Sequence, residues 1–185
     1  MNRKLSRRQF ITNRRETMEH RNPFKALLVV GLLAIIALSS STRATAAQAE
    51  LDAYSIVSVR SDKCIDVEDA STENHANIQQ YTCHGRVNQL WYLRFHDLGG
   101  YEIVDAKAGK CLDVERYSTR DRANVQLYSC HGGTNQQWFF RASGRYYEII
   151  NGHSGKCLDV TGASTENKAD IQQYACHGGT NQLWY

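Results

Sequence analysis

The sequence lacks several features, and each absence removes a class of protein. After residue 46 there is no proline and no stretch of useful length with a helical period, so that part is not an α-helical domain. The longest apolar run, Ala26 to Leu38, has thirteen residues, fewer than the roughly twenty needed to span a bilayer. Lys and Arg after residue 46 number 13 against 17 Asp and Glu. This mildly acidic balance excludes the basic surface typical of nucleic-acid binding.

One stretch of sequence occurs three times after residue 46. Its second copy begins at Cys111, passes through Gln126, Tyr128 and Cys130, and ends at Trp138. The first copy carries the same residue types 47 positions earlier and the third carries them 46 positions later. A period of this size indicates stacked or ringed copies of one unit, none of which can bury its apolar face alone. The function is therefore expected in the repeated unit.

All six cysteines lie in the repeats, two per copy and 19 positions apart. No copy has a second cysteine or histidine two to four residues from its first cysteine, which argues against a zinc site. An even count at a fixed spacing indicates disulfides instead, provided that the chain is exported. Six cysteines allow fifteen pairings, but the repeat favours one bridge inside each copy: Cys64 with Cys83, Cys111 with Cys130, and Cys157 with Cys176.

Short alternating runs separated by Gly, Asn, Asp and Ser clusters dominate the repeats, as in Tyr101-Glu102-Ile103-Val104. This pattern predicts an all-β chain of many short strands. Three units of about four strands each, at about 54–100, 101–146 and 147–185, favour a closed threefold barrel, because closure removes exposed strand edges.

The repeated residues resemble a known family. Cys-x-Asp-Val, Gln-x-Tyr-x-Cys and Asn-Gln-x-Trp, three times in register, are similar to the ricin-type β-trefoil lectins, and most of all to bacterial carbohydrate-binding modules of family thirteen. The resemblance covers residues 51–185. It implies an all-β trefoil of three repeats with pseudo-threefold symmetry, one disulfide per repeat and a surface that binds carbohydrate.

The first 46 residues are predicted to be a signal peptide. The apolar run suits a signal-peptide core and is followed by small residues and Ala44-Thr45-Ala46, near which we expect cleavage. An uncleaved anchor is the alternative. Ser6-Arg7-Arg8-Gln9-Phe10-Ile11 resembles a bacterial twin-arginine signal, whereas a start at Met18 would leave a shorter general secretory signal. Either route predicts a secreted, extracellular protein with no stable membrane insertion after cleavage.

Strand parity locates a candidate site. On a strand, Asp66 shares a face with Cys64, and Gln79 and Tyr81 share a face with Cys83. A disulfide requires its cysteines to face each other, so these three side chains are expected on one surface beside the bridge. Pairing Cys64 directly with Cys83 would place Asp66 opposite Tyr81. A carboxylate and an amide suit sugar hydroxyls, and an aromatic ring suits the apolar face of a sugar.

The resemblance adds roles for three further residues of each copy. It implies that the asparagine contacts sugar hydroxyls, that the following glutamine holds the aspartate, and that the histidine after the second cysteine reaches the ligand. The candidate carbohydrate-binding residues are Asp66, Gln79, Tyr81, His84, Asn88 and Gln89 in the first copy, Asp113, Gln126, Tyr128, His131, Asn135 and Gln136 in the second, and Asp159, Gln172, Tyr174, His177, Asn181 and Gln182 in the third. The three tryptophans are expected in the barrel core.

These observations predict a non-catalytic, multivalent lectin that binds galactose-like or xylose-like residues of glycans or plant polysaccharide, without a metal or cofactor. Two classes compete with it. A glycoside hydrolase needs two carboxylates flanking one bond, whereas a single carboxylate recurs per copy. A trefoil inhibitor or interaction protein would not need Asp, Gln, Tyr and Asn to recur in all copies. A targeting subunit for a separate glycoside hydrolase is compatible with the lectin prediction.

Overall fold

The computed structural model describes residues 3–4, 52–96 and 99–185, and the regular elements within them are strands and short 3₁₀ turns. The predicted signal segment otherwise lies outside the described residues. No helix among the described residues has the length and apolar character needed to cross a membrane. The strands are β1 (Arg3–Lys4), β2 (Ala53–Ser55), β3 (Cys64–Val67), β4 (Ala76–Tyr81), β5 (Trp91–Phe95), β6 (Tyr101–Asp105), β7 (Cys111–Val114), β8 (Ala123–Tyr128), β9 (Gln137–Ser143), β10 (Tyr146–Asn151), β11 (Cys157–Val160) and β12 (Ala169–Tyr174).

Six 3₁₀ turns follow the same threefold order as the strands. One lies after the second strand of each copy, at Glu68–Ala70, Glu115–Tyr117 and Thr161–Ala163. The other lies before each repeated tryptophan, at Val87–Gln89, Thr134–Gln136 and Thr180–Gln182. The all-β class predicted from the sequence is confirmed.

A ring of antiparallel strands forms the barrel. β2 pairs with β5, β5 with β6, β6 with β9, and β9 with β10, while β1 pairs with β2 in parallel. The end of the chain closes the ring: Trp184 exchanges backbone hydrogen bonds of 2.9 Å with Tyr147, and the Tyr185 amide donates to the Val57 carbonyl at 3.0 Å. Closure satisfies the strand edges that an open sheet would leave unpaired.

Three hairpins form a cap, one from each copy: β3–β4, β7–β8 and β11–β12. Their second strands also pair with one another, β4 with β8, β8 with β12, and β12 with β4. Every hairpin therefore contacts both others, which is the pseudo-threefold arrangement predicted from the repeats. It also brings residues of one copy next to the candidate site of the next.

The core is apolar and repeats with the sequence. Trp91, Trp138 and Trp184 have at most 1 % of their surface exposed and pack with buried Ile, Leu and Val from every hairpin. Each indole N–H donates to a backbone carbonyl of the second strand of its own copy, as Trp138 Nε1 does to the Leu112 oxygen at 3.0 Å. The buried indole thus keeps a hydrogen-bond partner, and the predicted core role of the tryptophans is confirmed.

The structure corrects the predicted register of the hairpins. Asp66 lies opposite Gln79, not Tyr81, and Cys64 lies opposite Tyr81. The reason is that Cys83 lies beyond β4, which ends at Tyr81, so the bridge joins β3 to the turn after its partner strand. A shift of two residues preserves side-chain parity. Asp66, Gln79 and Tyr81 therefore still belong to one face.

One disulfide forms within each copy, as the repeat predicted: Cys64–Cys83, Cys111–Cys130 and Cys157–Cys176. Each has a Cα–Cα distance of 5.1 Å, within the usual range for such bridges. The bridge ties the start of the hairpin to the turn that carries the repeated histidine.

Candidate functional site

A buried carboxylate organises the candidate site of each copy, and pockets 1, 2 and 3 denote the surfaces around Asp66, Asp113 and Asp159. In pocket 2, Asp113 Oδ1 accepts a hydrogen bond from Gln126 Nε2 at 3.0 Å. Its Oδ2 accepts from Asn135 Nδ2 at 2.8 Å and from Gln136 Nε2 at 2.9 Å. Three amide donors fix the carboxylate, although only 2 % of Asp113 is exposed.

The other two copies repeat this network with the same residue types. Asp66 accepts from Gln79 at 3.0 Å and from Asn88 and Gln89 at 2.9 Å each. Asp159 accepts from Gln172 at 2.8 Å, Asn181 at 2.7 Å and Gln182 at 3.0 Å.

Burial shifts the pKa of one of these carboxylates. Desolvation raises the pKa of Asp159 above its ordinary value of 3.8, and the hydrogen bonds from Gln172, Gln182 and Asn181, together with His177, oppose the rise. Pocket 3 therefore keeps its acceptor ionised only above this raised pKa.

The glutamine of the Asn-Gln pair lies beneath the pocket. Gln136 has no exposed surface and also donates to the Ser129 carbonyl, while its own oxygen accepts from the His131 amide at 2.9 Å. Gln89 and Gln182 make the equivalent contacts. This side chain cannot reach a ligand directly and positions the aspartate and the histidine turn.

The repeated histidine is oriented by its own turn. His131 Nδ1 accepts from the Gly133 amide at 3.2 Å, which leaves Nε2 as the protonated nitrogen of the neutral ring. Nε2 faces Asp113 Oδ2 at 3.5 Å. The corresponding Nε2 atoms of His84 and His177 lie 3.5 Å and 3.7 Å from their aspartates. Each histidine presents an N–H donor at the pocket rim.

The second copy has an open cavity of about 350 Å³ at this position. Of the residues predicted from the sequence, Asp113, Gln126, Tyr128, His131 and Asn135 line it. Tyr128 is half-buried, and its ring lies 6.0 Å from the His131 ring in an edge-on arrangement. The structure thus brings three side chains predicted from strand parity, Asp113, Gln126 and Tyr128, to one surface with His131 and Asn135, which the resemblance implied.

Four further residues line this cavity that the sequence analysis did not include: His75, Glu115, Arg116 and Tyr117. His75 comes from the first copy, and its Nδ1 lies 3.0 Å from Gln126 Oε1. Only the packing of β4 against β8 brings it there. Tyr117 could have been noticed in the sequence, because the equivalent residues of the other copies are Ala70 and Ala163.

Tyr117 makes pocket 2 different from its two counterparts. Its ring lies 5.8 Å from the ring of His131 and 5.4 Å from that of His153. Gly133 lies directly below: a Cβ on this glycine would fall 2.1 Å from the Tyr117 hydroxyl and 2.6 Å from His131 Cε1. A side chain at position 133 would therefore displace the rings that border pocket 2.

Two buried acceptor atoms in these pockets have no hydrogen-bond donor among the described residues: Asn135 Oδ1 and Gln79 Oε1. A buried acceptor without a donor is costly unless water or a ligand supplies one. Both atoms belong to side chains whose amide groups hold an aspartate. Among the described residues, no group of three or more His, Cys, Asp or Glu side chains is arranged to hold a metal ion.

The family model of the ricin-type beta-trefoil lectin domain matches residues 52–185. The chain belongs to this family. The match spans all three repeats of this ricin-type lectin domain. No match was found among curated proteins.

Solved structures similar to this ricin-type domain include a designed threefold-symmetric protein, ThreeFoil, with 48 % identity and a TM-score of 0.68 over 71 % of this chain and 95 % of that one. An exo-β-1,3-galactanase from Clostridium thermocellum shares 43 % identity with a TM-score of 0.68, over 71 % of this chain and 29 % of its own. The hemolytic lectin CEL-III shares 31 % identity with a TM-score of 0.59, over 70 % and 28 %. The latter two are thus matched over less than a third of their length.

Proposed function

We propose that this chain is a secreted, non-catalytic lectin that binds galactose-like or xylose-like residues of glycans or plant polysaccharide through its three pockets. Each pocket offers the aspartate and asparagine as acceptors for sugar hydroxyls, the histidine N–H as a donor, and a tyrosine ring for the apolar face of the sugar. The buried Gln89, Gln136 and Gln182 hold the aspartates.

The observation that carries this proposal is that two acceptor oxygens in pocket 2 have unfilled hydrogen-bonding capacity. Asn135 Oδ1 is buried without a donor among the described residues, and Asp113 Oδ1 accepts one protein hydrogen bond where a carboxylate oxygen has room for two. Both belong to residues that line an open cavity bordered by Tyr128. Neighbouring hydroxyls of a sugar would donate to these two oxygens while its C–H face packs on the ring.

The contacts of the acidic residues support binding without catalysis. Asp113 is held by three amide donors, and Glu115, the second carboxylate of this cavity, lies 3.3 Å from Arg116 Nε. Glu115 recurs as Glu68 in the first copy but not in the third, which has Thr161 in its place. A hydrolase would need one carboxyl group to act as an acid and another as a base or nucleophile about the same bond.

Two further observations support the ligand class and the location. The relative at 43 % identity is an exo-β-1,3-galactanase, which favours a galactose-like ligand, and the relative at 31 % identity is a hemolytic lectin, which favours carbohydrate binding. Three disulfides favour an oxidising compartment, in keeping with the predicted signal segment at residues 1–46.

The test is glycan binding by the purified protein, first on an array and then by titration calorimetry with lactose and xylobiose. The wild type is compared with the triple variant Asp66→Ala, Asp113→Ala and Asp159→Ala. We expect the wild type to bind one of these sugars and the variant to lose binding, because its pockets lack the charged acceptor and the amides around it lose their common partner.

The matched control is Glu73→Ala, which removes an exposed carboxylate that does not line the cavity of pocket 2. It should bind like the wild type. Circular dichroism must show that the triple variant remains folded. A folded wild type that binds no glycan, or a folded triple variant that binds as well as the wild type, contradicts the proposal.

A further inference from the structure

A second cavity, of about 620 Å³, adjoins pocket 2. Its lining includes the three arginines of the segment 115–124, Arg116, Arg120 and Arg122, so it is called the arginine cavity below. The two cavities share Glu115, Arg116 and Tyr117 in their linings. A ligand longer than the one sugar held in pocket 2 would therefore extend past Tyr117 into the arginine cavity.

The positive charge of this segment is peculiar to the second copy. The corresponding segment of the first copy, 68–77, has Glu68, Asp69 and Glu73 and no Lys or Arg. That of the third copy, 161–170, has one lysine against Glu166 and Asp170. Three equivalent segments on one fold thus differ in charge, so the trefoil itself does not require arginine at these positions.

The acidic residues of the segment are already paired. Glu115 lies 3.3 Å from Arg116, and Asp121 lies 2.6 Å from Lys156 Nζ. Neither Arg120 nor Arg122 forms an ion pair with a described residue. Arg122 still interacts electrostatically with Asp121, so Arg120 is the more available guanidinium group beside pocket 2. Guanidinium binds planar carboxylates and other oxyanions through paired N–H donors.

We propose that the arginine cavity binds the anionic group of an acidic sugar, a uronate carboxylate or a sulfate ester, joined to the sugar in pocket 2. This inference rests on the proposed lectin function. Pocket 2 selects the neutral residue, and the arginines give preference to chains that carry a negative charge next to it. Continuity with pocket 2 favours an acidic glycan over nucleic acid, which would also be attracted by arginine.

The experiment uses the double variant Asp66→Ala and Asp159→Ala as background, so that pocket 2 alone binds. Calorimetry at low ionic strength compares the neutral disaccharide selected above, lactose or xylobiose, with its sulfated form and its glucuronic-acid-linked form. We expect the anionic forms to bind about three- to tenfold more tightly, an advantage that is lost as salt is raised.

The deciding variant is Arg120→Glu, because Arg120 lines the arginine cavity and not pocket 2. The other copies have Glu73 and Glu166 at this position, so the fold accepts glutamate there. The variant should bind the neutral disaccharide as before and lose the preference for the anionic forms. Arg145→Glu makes the same charge change at a residue that lines neither cavity and should retain the preference.

The outcomes separate the two proposals. If the protein binds the neutral disaccharide and shows no preference for the anionic forms, the inference is overturned and the lectin proposal stands. The same conclusion follows if the preference is unchanged in Arg120→Glu. No binding of any of the sugars overturns both. A preference for only one anionic form supports the inference and identifies its source. Binding of a single-stranded RNA oligonucleotide that depends on Arg120, without any sugar preference, also overturns the inference.

Discussion

At the scale of single residues, corresponding positions of the three copies act as internal controls. Position 105 is an example: Asp105 corresponds to Asn151, and both are fully buried. Asn151 uses its amide N–H to donate to the Asn135 carbonyl at 2.9 Å. Asp105 cannot donate in this way when ionised, and its Oδ1 has no partner among the described residues. Desolvation accordingly raises the pKa of Asp105 above 3.8.

We predict that Asp105→Asn stabilises the fold by about 1 kcal/mol at neutral pH, because it replaces an unpaired buried oxygen by a donor. Since folding raises the pKa of Asp105, the folded wild type binds its proton more tightly than the unfolded chain does. The wild type therefore gains stability relative to the variant as the pH falls from 7 towards 3.8.

Urea unfolding at several pH values measures this effect. The gap between wild type and Asp105→Asn should be largest at neutral pH and shrink on acidification. The reciprocal change, Asn151→Asp, serves as the control and should destabilise the fold at neutral pH. Equal stability of all three proteins across the pH range would show that the buried oxygen has no energetic cost.

At the scale of the structural element, the unit is a hairpin with its disulfide and its histidine turn. The bridge Cys111–Cys130 closes a loop of 19 positions and fixes the residue before His131. Within that loop lie β7, β8 and the segment that lines the arginine cavity. Fold stability and the shape of pocket 2 therefore depend on the same covalent link.

We predict that the double change Cys111→Ser and Cys130→Ser lowers the free energy of unfolding by about 3 kcal/mol, the chain-entropy value for a loop of this length. It should also weaken sugar binding at pocket 2, because the His131 turn loses its anchor. Thermal unfolding and calorimetry in the Asp66→Ala and Asp159→Ala background measure the two effects.

The control is the double change Cys157→Ser and Cys176→Ser in the same background. It should lower stability by a similar amount but leave binding at pocket 2 intact, since that bridge belongs to the third copy. Equal losses of pocket 2 binding in both variants would mean that binding follows global stability and not the local link.

At the scale of the whole molecule, the trefoil presents three chemically similar pockets, one on each hairpin of the cap. The hydrogen bonds from the glutamine to the aspartate have nearly the same length in the three pockets, 3.0, 3.0 and 2.8 Å. Their borders differ, since Tyr117 in pocket 2 is replaced by Ala70 and Ala163, and Gly133 corresponds to Arg86 in pocket 1. The three pockets thus combine a common aspartate network with three different surroundings.

We predict that this arrangement binds surfaces through avidity. Reducing the protein to one pocket by Asp66→Ala and Asp159→Ala should leave the affinity of pocket 2 for a free disaccharide unchanged. Retention on an immobilised polysaccharide should fall by about 100-fold, because linked sites raise the effective concentration of the second contact. Calorimetry and surface binding, measured side by side, check this.

Retention that falls only in proportion to the number of pockets would contradict multivalent binding. Glu73→Ala with Glu166→Ala removes two carboxylates outside the cavities and should change neither measurement.

The sequence by itself determined the period, the all-β class, the disulfide pairing and the face shared by Asp66, Gln79 and Tyr81, because each depends on residue spacing or strand parity. It did not determine the register, since it gave no indication that Cys83 lies beyond its strand. Only the tertiary structure placed His75 of the first copy at Gln126 of the second, and only the folded conformation of the segment 115–124 joined pocket 2 to a cavity lined by arginine. Residue spacing within one copy determines neither the contacts between copies nor the path of an irregular segment. Both were therefore decided only by the tertiary structure.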